Sequence, residues 1–131
     1  MMRISFKIHT YDELLNLHKA LLEAKFHQNP DNKYVAGSPI IANICNDILQ
    51  QLCLYDQSAK GYEDWTEWRR LAHQDFYKER MIANILDFGG WGDLEYSEKQ
   101  ERLKNYISPF TATEEEIKSV LFDIDKINDT L

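Results

Sequence analysis

Four short segments of this chain carry the sequence pattern that starts an α-helix. In each, a short side chain that accepts hydrogen bonds stands three positions before a Glu or Gln, over 10–13, 64–67, 97–100 and 113–116. In this capping box the first side chain binds a free amide of the helix start, and the second reaches back to the cap residue. Ser38 followed by Pro39 predicts a fifth start, because Pro is well tolerated at the first helical position. We therefore expect a mainly α-helical protein.

The spacing of apolar residues predicts about five helices around one core. The predicted ranges are 11–26, 39–55, 65–88, 98–107 and a last helix after Thr113. The third range is long for a small protein, so a kink near residues 76–77 is expected, and Gly89 with Gly90 ends it. A chain of 131 residues fits one domain, predicted to span 1–131.

Residues 3–9 alternate between apolar and polar side chains, which predicts a short N-terminal strand. A strand leaves backbone groups unpaired unless a second strand lies beside it. Residues 33–36 are the candidate partner within the chain, which would give a small two-stranded β element. The alternative is pairing with a second chain in a homodimer.

The formal net charge of −7 is unevenly distributed along the chain. Residues 1–60 contain six acidic and six basic residues, whereas 61–110 contain ten and seven, and 111–131 contain six and two. An acidic surface repels phosphate backbones, so direct binding to nucleic acid is not expected. It attracts a basic protein and speeds association with it. The same charge also fits a protein that simply needs to stay soluble.

The cysteines and the hydropathy pattern predict a cytoplasmic protein. No apolar run approaches the roughly 20 residues of a membrane helix, so no membrane contact is expected. Cys45 and Cys53 lie on one predicted helix, too far apart along its axis to form a disulfide with each other. Two reduced thiols are typical of the cytosol.

The sequence contains no recognisable catalytic, cofactor or metal-binding motif, and we predict that the protein is not an enzyme. It has neither a His-Glu-x-x-His nor a Cys-x-x-Cys pattern, and its four histidines lie on separate elements. Arg69 and Arg70 precede His73 more closely than the Arg–His pairs of small helical ribonucleases. These arginines are expected to pair with neighbouring acidic residues on an exposed helix face.

The stretch 61–101 interleaves aromatic and acidic residues and is the predicted contact surface for a partner. Tyr and Trp dominate the strongly binding positions of protein interfaces, and carboxylates suit a basic partner. Whether Trp65 and Trp91 are exposed is left open by their positions beside a helix cap and in a glycine turn. The candidate partner-binding residues are Glu63, Asp64, Trp65, Glu67, Trp91, Asp93, Glu95 and Glu98.

These features favour a small acidic binding protein over an enzyme. The first hypothesis is an inhibitor or immunity-type protein that masks a basic protein partner, such as a toxin nuclease. The second is a structural or adaptor module that acts as a homodimer through its N-terminal strand. The third is a small helical enzyme whose site cannot be recognised from residue types.

Overall fold

A computed structural model describes residues 5–59 and 64–131 and confirms a mainly helical protein. The described residues form five helices of three or more turns and one single-turn helix, with no sheet among them. Short 3₁₀ turns occupy 71–73 and 91–93. The helices are α1 Tyr11–Lys25, α2 Pro39–Ala59, α3 Trp65–Trp68, α4 Asp75–Phe88, α5 Tyr96–Ile107 and α6 Glu114–Asp129.

Most of the predicted helix starts are confirmed by the hydrogen bonds of their cap residues. At α6 the Thr113 hydroxyl accepts from the Glu116 amide at 3.1 Å, and the Glu116 carboxylate accepts from the Thr113 amide at 3.0 Å. Each of these bonds satisfies an amide that has no partner within the helix. Side-chain caps also accept amide hydrogen bonds at Thr10, Ser38 and Asp64.

The predicted start of α5 at Ser97 is wrong by two residues. The helix begins at Tyr96 with Glu95 as its cap residue, so Ser97 lies within the first turn. The Glu98 carboxylate accepts from the Glu95 amide at 3.0 Å. The sequence contains two overlapping pairs here, Glu95 with Glu98 and Ser97 with Gln100. The earlier pair forms the helix cap.

The predicted third helix is interrupted and does not run continuously from Trp65 to Phe88. Between α3 and α4 the backbone pairs with a distant segment: the Leu71 amide donates to the Thr111 carbonyl and the Thr111 amide donates to the Arg69 carbonyl, both at 2.8 Å. These groups cannot also serve a continuous α-helix. The break therefore follows from a long-range contact, and it lies earlier than the kink predicted near residues 76–77.

Residues 33–36 form turns, so the second short strand is not present. The Tyr34 amide donates to the Asn32 side-chain oxygen at 3.0 Å, and the Val35 amide donates to the Asn32 carbonyl at 3.4 Å. An Asn that binds the backbone two residues ahead stabilises a turn in place of a strand. The predicted N-terminal strand over 3–9 begins outside the described residues and stays a prediction.

The core consists of two hydrophobic clusters that meet at Trp68. One cluster lies between α1, α2 and α3 and includes Leu49, Leu52 and Trp65. The other cluster lies mainly among α4, α5 and α6 and includes Trp91. Trp68 packs against both, so the two clusters are continuous.

A buried histidine lies beside the first cluster. The His18 side chain is 4% exposed, and its ring contacts the rings of Trp65 and Trp68 edge-on, each at a centroid distance of 5.2 Å. Burial, together with the nearby Lys19 charge, lowers the pKa of His18 from 6.5 to about 4. The folded protein therefore keeps this imidazole neutral under conditions in which the unfolded chain protonates it.

We expect the free energy of unfolding to fall as the pH is lowered from 6.5 towards 4, the two pKa values of His18. Between these two pH values the unfolded chain binds a proton that the folded chain does not bind. The free energy of unfolding therefore falls by up to about 1.4 kcal/mol for each unit by which the pH is lowered. Urea unfolding at several pH values measures this slope. His18→Gln should make the slope shallower, whereas His9→Gln, at an exposed histidine, should leave it unchanged. If the free energy of unfolding changed equally with pH in wild type and His18→Gln, the lowered pKa of His18 would be contradicted.

Candidate functional site

A groove with a volume of about 560 Å³ lies between the turn that precedes α2 and the exposed side of α5. Its size falls within the range of protein sites that accept a ligand or a partner side chain. The lining combines aromatic rings with side chains of both charges. The lining residues are Lys33, Tyr34, Gly37, Ser38, Pro39, Phe88, Leu94, Glu98, Glu101, Arg102, Asn105 and Tyr106. We call this site the α2–α5 groove.

Glycines position the chain segments that form this groove. A Cβ atom at Gly37 would overlap the ring of Tyr106, so only Gly lets the turn before α2 approach α5 this closely. Gly89 and Gly90, with φ of 89° and 78°, end α4 and turn the chain towards α5. Backbone in this left-handed region is strained for other residues. These turns place Phe88 and Leu94 on the wall of the groove.

Two exposed aromatic rings line the groove. Tyr34 is 74% exposed and Phe88 is 38% exposed, and the rings meet edge-on at a centroid distance of 5.6 Å. The Arg102 guanidinium lies 5.3 Å from the centroid of Phe88, and its Nη1 donates to the Gly89 carbonyl at 3.3 Å. Arg102 therefore supports the Phe88 ring and the glycine turn.

The groove is lined by charges of both signs. Lys33 Nζ lies 3.1 Å from the carboxylate of Asp87, so its charge is partly neutralised. Both Glu98 and Glu101 are exposed, and neither forms an ion pair in the part of the chain that the structure describes. Arg102 contacts a ring and a carbonyl, which leave its positive charge in place. A basic group entering the groove would therefore meet the carboxylates of Glu98 and Glu101 beside one guanidinium, and one oxygen of Glu98 already accepts from the Glu95 amide.

The structure places part of the predicted contact surface at this groove. Glu98 lines it, and Asp93 and Glu95 are exposed on the segment that leads into α5. Trp91, in contrast, is 1% exposed, and its Nε1 donates to the Asp125 carboxylate at 2.7 Å. The expectation that Trp91 could contribute a surface ring is therefore wrong, because the ring packs in the core.

The other part of the predicted surface lies elsewhere. Trp65 is also a core residue, 6% exposed, so its ring cannot contact a partner in this conformation. Asp64 and Glu67 are exposed, with Glu67 Oε2 lying 3.5 Å from a guanidinium nitrogen of Arg70. Glu63 lies outside the described residues. Trp65 and Leu52 belong to the same hydrophobic cluster. At about 1.5 Å per residue, Leu52 lies about 20 Å along α2 from the end of that helix that borders the groove.

Sequence patterns missed several residues of the groove. Tyr34 falls in the predicted strand 33–36, and Phe88 is the last residue of the predicted helix 65–88. The signal that could have found Tyr34 is the turn chemistry around it, with Asn32 before it and Gly37 after it. A large aromatic residue in such a turn has no helix face into which it can pack.

The side chains considered for acid–base chemistry have other structural roles. Arg69 donates from Nε and Nη2 to the Pro109 carbonyl, at 3.2 Å and 3.1 Å. His73 Nδ1 lies 3.2 Å from the Glu67 carbonyl. Burial raises the pKa of the Cys45 thiol, which disfavours the nucleophilic thiolate. No cluster of three or more His, Cys, Asp or Glu residues arranged to hold a metal is found within 5–59 and 64–131.

The comparisons with known proteins leave the family of this chain open. Searches against family models, curated proteins and solved structures find no significant match. The α2–α5 groove and its surroundings are therefore the basis on which a function can be proposed. Within the described ranges, no helix combines the length and the hydropathy needed to cross a bilayer.

Proposed function

We propose that this protein is an inhibitor or immunity-type protein that binds and masks a basic protein partner, such as a toxin nuclease, through the α2–α5 groove. The observation that carries this proposal is the combination, at one concave site, of exposed aromatic rings with exposed carboxylates that form no ion pair within the described residues. Tyr34 and Phe88 supply the apolar surface, and Glu98 and Glu101 supply the charge.

The two kinds of side chain would contribute to binding in different ways. An aromatic ring gives a large contact area for few rotatable bonds, so Tyr34 is the residue that should contribute most to affinity. Exposed carboxylates at the rim mainly accelerate association with a positively charged partner, and salt screens this effect. The matching segment of the partner would carry an apolar side chain flanked by Lys or Arg.

The expected result of reversing the groove charges is slower association with the partner. Glu98→Lys combined with Glu101→Lys should lower the association rate at low salt by at least about tenfold. The control is Glu79→Lys combined with Asp129→Lys, which makes the same charge change at exposed acids away from the groove. Tyr34→Ala should instead weaken binding by about 2 kcal/mol, mainly through faster dissociation.

The measurement has two steps. Wild type and both double variants are first used to capture proteins from an extract of the native host, and the captured basic protein is identified and purified. Surface plasmon resonance at low and high salt then gives the rate constants. Thermal unfolding of the groove variant checks that loss of the Glu98 cap has not unfolded α5. Equal association rates for both double variants would exclude the groove, and salt-independent binding would exclude the electrostatic mechanism.

A further inference from the structure

A second cavity lies between the C-terminal part of α1, with the residues that follow it, and the first two turns of α4. It has a volume of about 460 Å³, which is within the usual range for small-ligand sites. No residue lines both this cavity and the α2–α5 groove. We call it the α1–α4 pocket. Its lining residues are Lys19, Leu22, Glu23, Phe26, His27, Gln28, Phe76, Tyr77 and Arg80.

Arg80 brings a half-buried positive charge to this pocket without an acidic partner. Its guanidinium lies 5.0 Å from the centroid of the Phe76 ring. Among the described residues, its side chain forms no ion pair and no hydrogen bond. A guanidinium presents its N–H donors in a planar fork that fits the oxygens of a phosphate or carboxylate group. These donors are therefore available to an anion in the pocket.

Two further side chains provide hydrogen-bond donors from the α1 side of the pocket. Lys19 is exposed and forms no ion pair in the part of the chain that the structure describes. The Nδ1 atom of His27 accepts from the Asn29 amide at 3.1 Å, so the neutral ring carries its proton on Nε2 and can donate from there. Three separate donors suit the three terminal oxygens of a phosphate monoester better than the two oxygens of a carboxylate.

Phe76 supplies an exposed aromatic surface beside these donors. Its ring is 58% exposed and meets the Tyr77 ring edge-on at a centroid distance of 5.3 Å. Tyr77 in turn contacts the buried ring of Phe26 at 5.2 Å, which connects Phe76 to the core. Every nucleobase has a flat face that can stack on an exposed aromatic ring. The pocket therefore combines donors for a phosphate with a surface for a planar group.

Glu23 favours some phosphate compounds over others. Its side chain is exposed, lines the pocket and forms no ion pair within 5–59 and 64–131. A carboxylate repels a bare phosphate ion, but it accepts hydrogen bonds from hydroxyl and amino groups. A nucleoside monophosphate brings such groups together with its phosphate. The net charge of −7 opposes the binding of any anion, but charges more than about 8 Å away are largely screened at physiological ionic strength.

We propose that the α1–α4 pocket binds a nucleoside monophosphate. Arg80 and Lys19 pair with the phosphate, and the base stacks on the Phe76 ring. Glu23 accepts a hydrogen bond from the ribose or the base. This site does not depend on the function proposed for the α2–α5 groove, because the two sites share no lining residue.

An NMR titration of the ¹⁵N-labelled protein with adenosine monophosphate, up to about 10 mM, tests this proposal. We expect a Kd below about 1 mM, with shifts of the Tyr77 and Arg80 amide signals and no shift of the Glu101 signal in the groove. Adenosine and inorganic phosphate should each bind at least about tenfold more weakly, because each lacks part of the contacts.

Substitutions in the pocket separate these contacts. Arg80→Gln should weaken binding of the nucleotide by at least about tenfold, whereas Arg70→Gln removes the same charge outside the pocket and should leave binding unchanged. Phe76→Ala should weaken nucleotide binding by at least about fivefold without affecting inorganic phosphate, and Phe122→Ala, at an exposed ring of α6, is its control. Glu23→Gln should strengthen binding of inorganic phosphate, because it removes a like charge.

Three outcomes would overturn the proposal. Absence of nucleotide binding at about 10 mM would show that the pocket is not a nucleotide site. Equal weakening by Arg80→Gln and Arg70→Gln would show that the nucleotide responds only to the overall charge. Inorganic phosphate that binds as tightly as the nucleotide would show that the base is not recognised. Circular dichroism establishes that each variant is folded before its titration.

Discussion

Replacing Trp91 with Ala is expected to lower the free energy of unfolding by about 3–5 kcal/mol. The ring is 1% exposed and packs among α4, α5 and α6. Its Nε1 and Lys99 Nζ each donate to the same oxygen of Asp125, at 2.7 Å. The substitution therefore leaves a cavity and also removes one of the two donors that hold this carboxylate. An effect of this size is a large fraction of the stability of a small domain.

Urea unfolding of three variants separates these two contributions. Trp91→Phe keeps an aromatic ring but removes the donor, so its cost should be about 1–2 kcal/mol and smaller than that of Trp91→Ala. Tyr96→Ala, at a neighbouring aromatic residue that is 53% exposed, should change stability by less than about 0.5 kcal/mol. If Trp91→Ala cost no more than Tyr96→Ala, the ring would not be a core residue.

The burial of Trp91 could not be read from its sequence neighbours. Gly89, Gly90 and Gly92 surround it, and a glycine-rich turn is typical of exposed chain. The group that fixes the ring, Asp125, lies 34 residues further along the chain. Local composition carries no information about that contact.

Helix starts were more predictable, because a capping box operates within four residues. The Thr113 and Glu116 pair is recognised from sequence and forms as expected. Where two such pairs overlap, as near Glu95 and Ser97, the local pattern alone did not select the right one. The break between α3 and α4 could not be predicted from local sequence patterns, because it depends on backbone hydrogen bonds to Thr111.

Some of the acidic residues at and near the candidate site could be predicted from the sequence, but the shape of the site could not. The excess of acidic residues in the second half of the chain pointed to Asp93, Glu95 and Glu98, and all are exposed. The groove also needs the turn around Tyr34, which contacts Phe88 across 54 residues of sequence. Only tertiary packing brings these segments together.

Helix α5 ends against a buried lysine, and that contact supports a second large stability prediction. The last four carbonyls of an α-helix have no partners within the helix. In α5, two of them accept from the amides of Ser108 and Phe110. The other two, of Asn105 and Tyr106, accept from Lys25 Nζ at 2.6 Å and 2.8 Å. Lys25 is 1% exposed, and its bond to the Tyr106 carbonyl is buried.

Lys25→Met is expected to lower the free energy of unfolding at pH 7 by about 2–4 kcal/mol, because it removes the donor of one buried and one partly buried carbonyl while nearly preserving the side-chain volume. Lys19→Met removes an exposed lysine from the same helix and should have an effect below about 0.5 kcal/mol. Urea unfolding measures both. Equal stability of Lys25→Met and wild type would mean that the carbonyls find other donors.

The pH dependence of the same variant gives an independent test of this burial. Burial lowers the pKa of Lys25 from 10.5 to about 7, and the nearby Cys45 opposes this shift. Above pH 7 the unfolded chain therefore holds a proton that the folded chain has lost, so wild-type stability should rise with pH, by up to about 1.4 kcal/mol per unit. Between pH 7 and about 9 the Lys25→Met variant should lack this rise. The difference between the free energies of unfolding of wild type and variant should therefore increase with pH. Above that range the phenols of the partly buried Tyr77 and the buried Tyr106, whose pKa values are raised by desolvation, act in the opposite direction. A gap that stays constant from pH 7 to about 9 would show that Lys25 keeps its proton in the folded state.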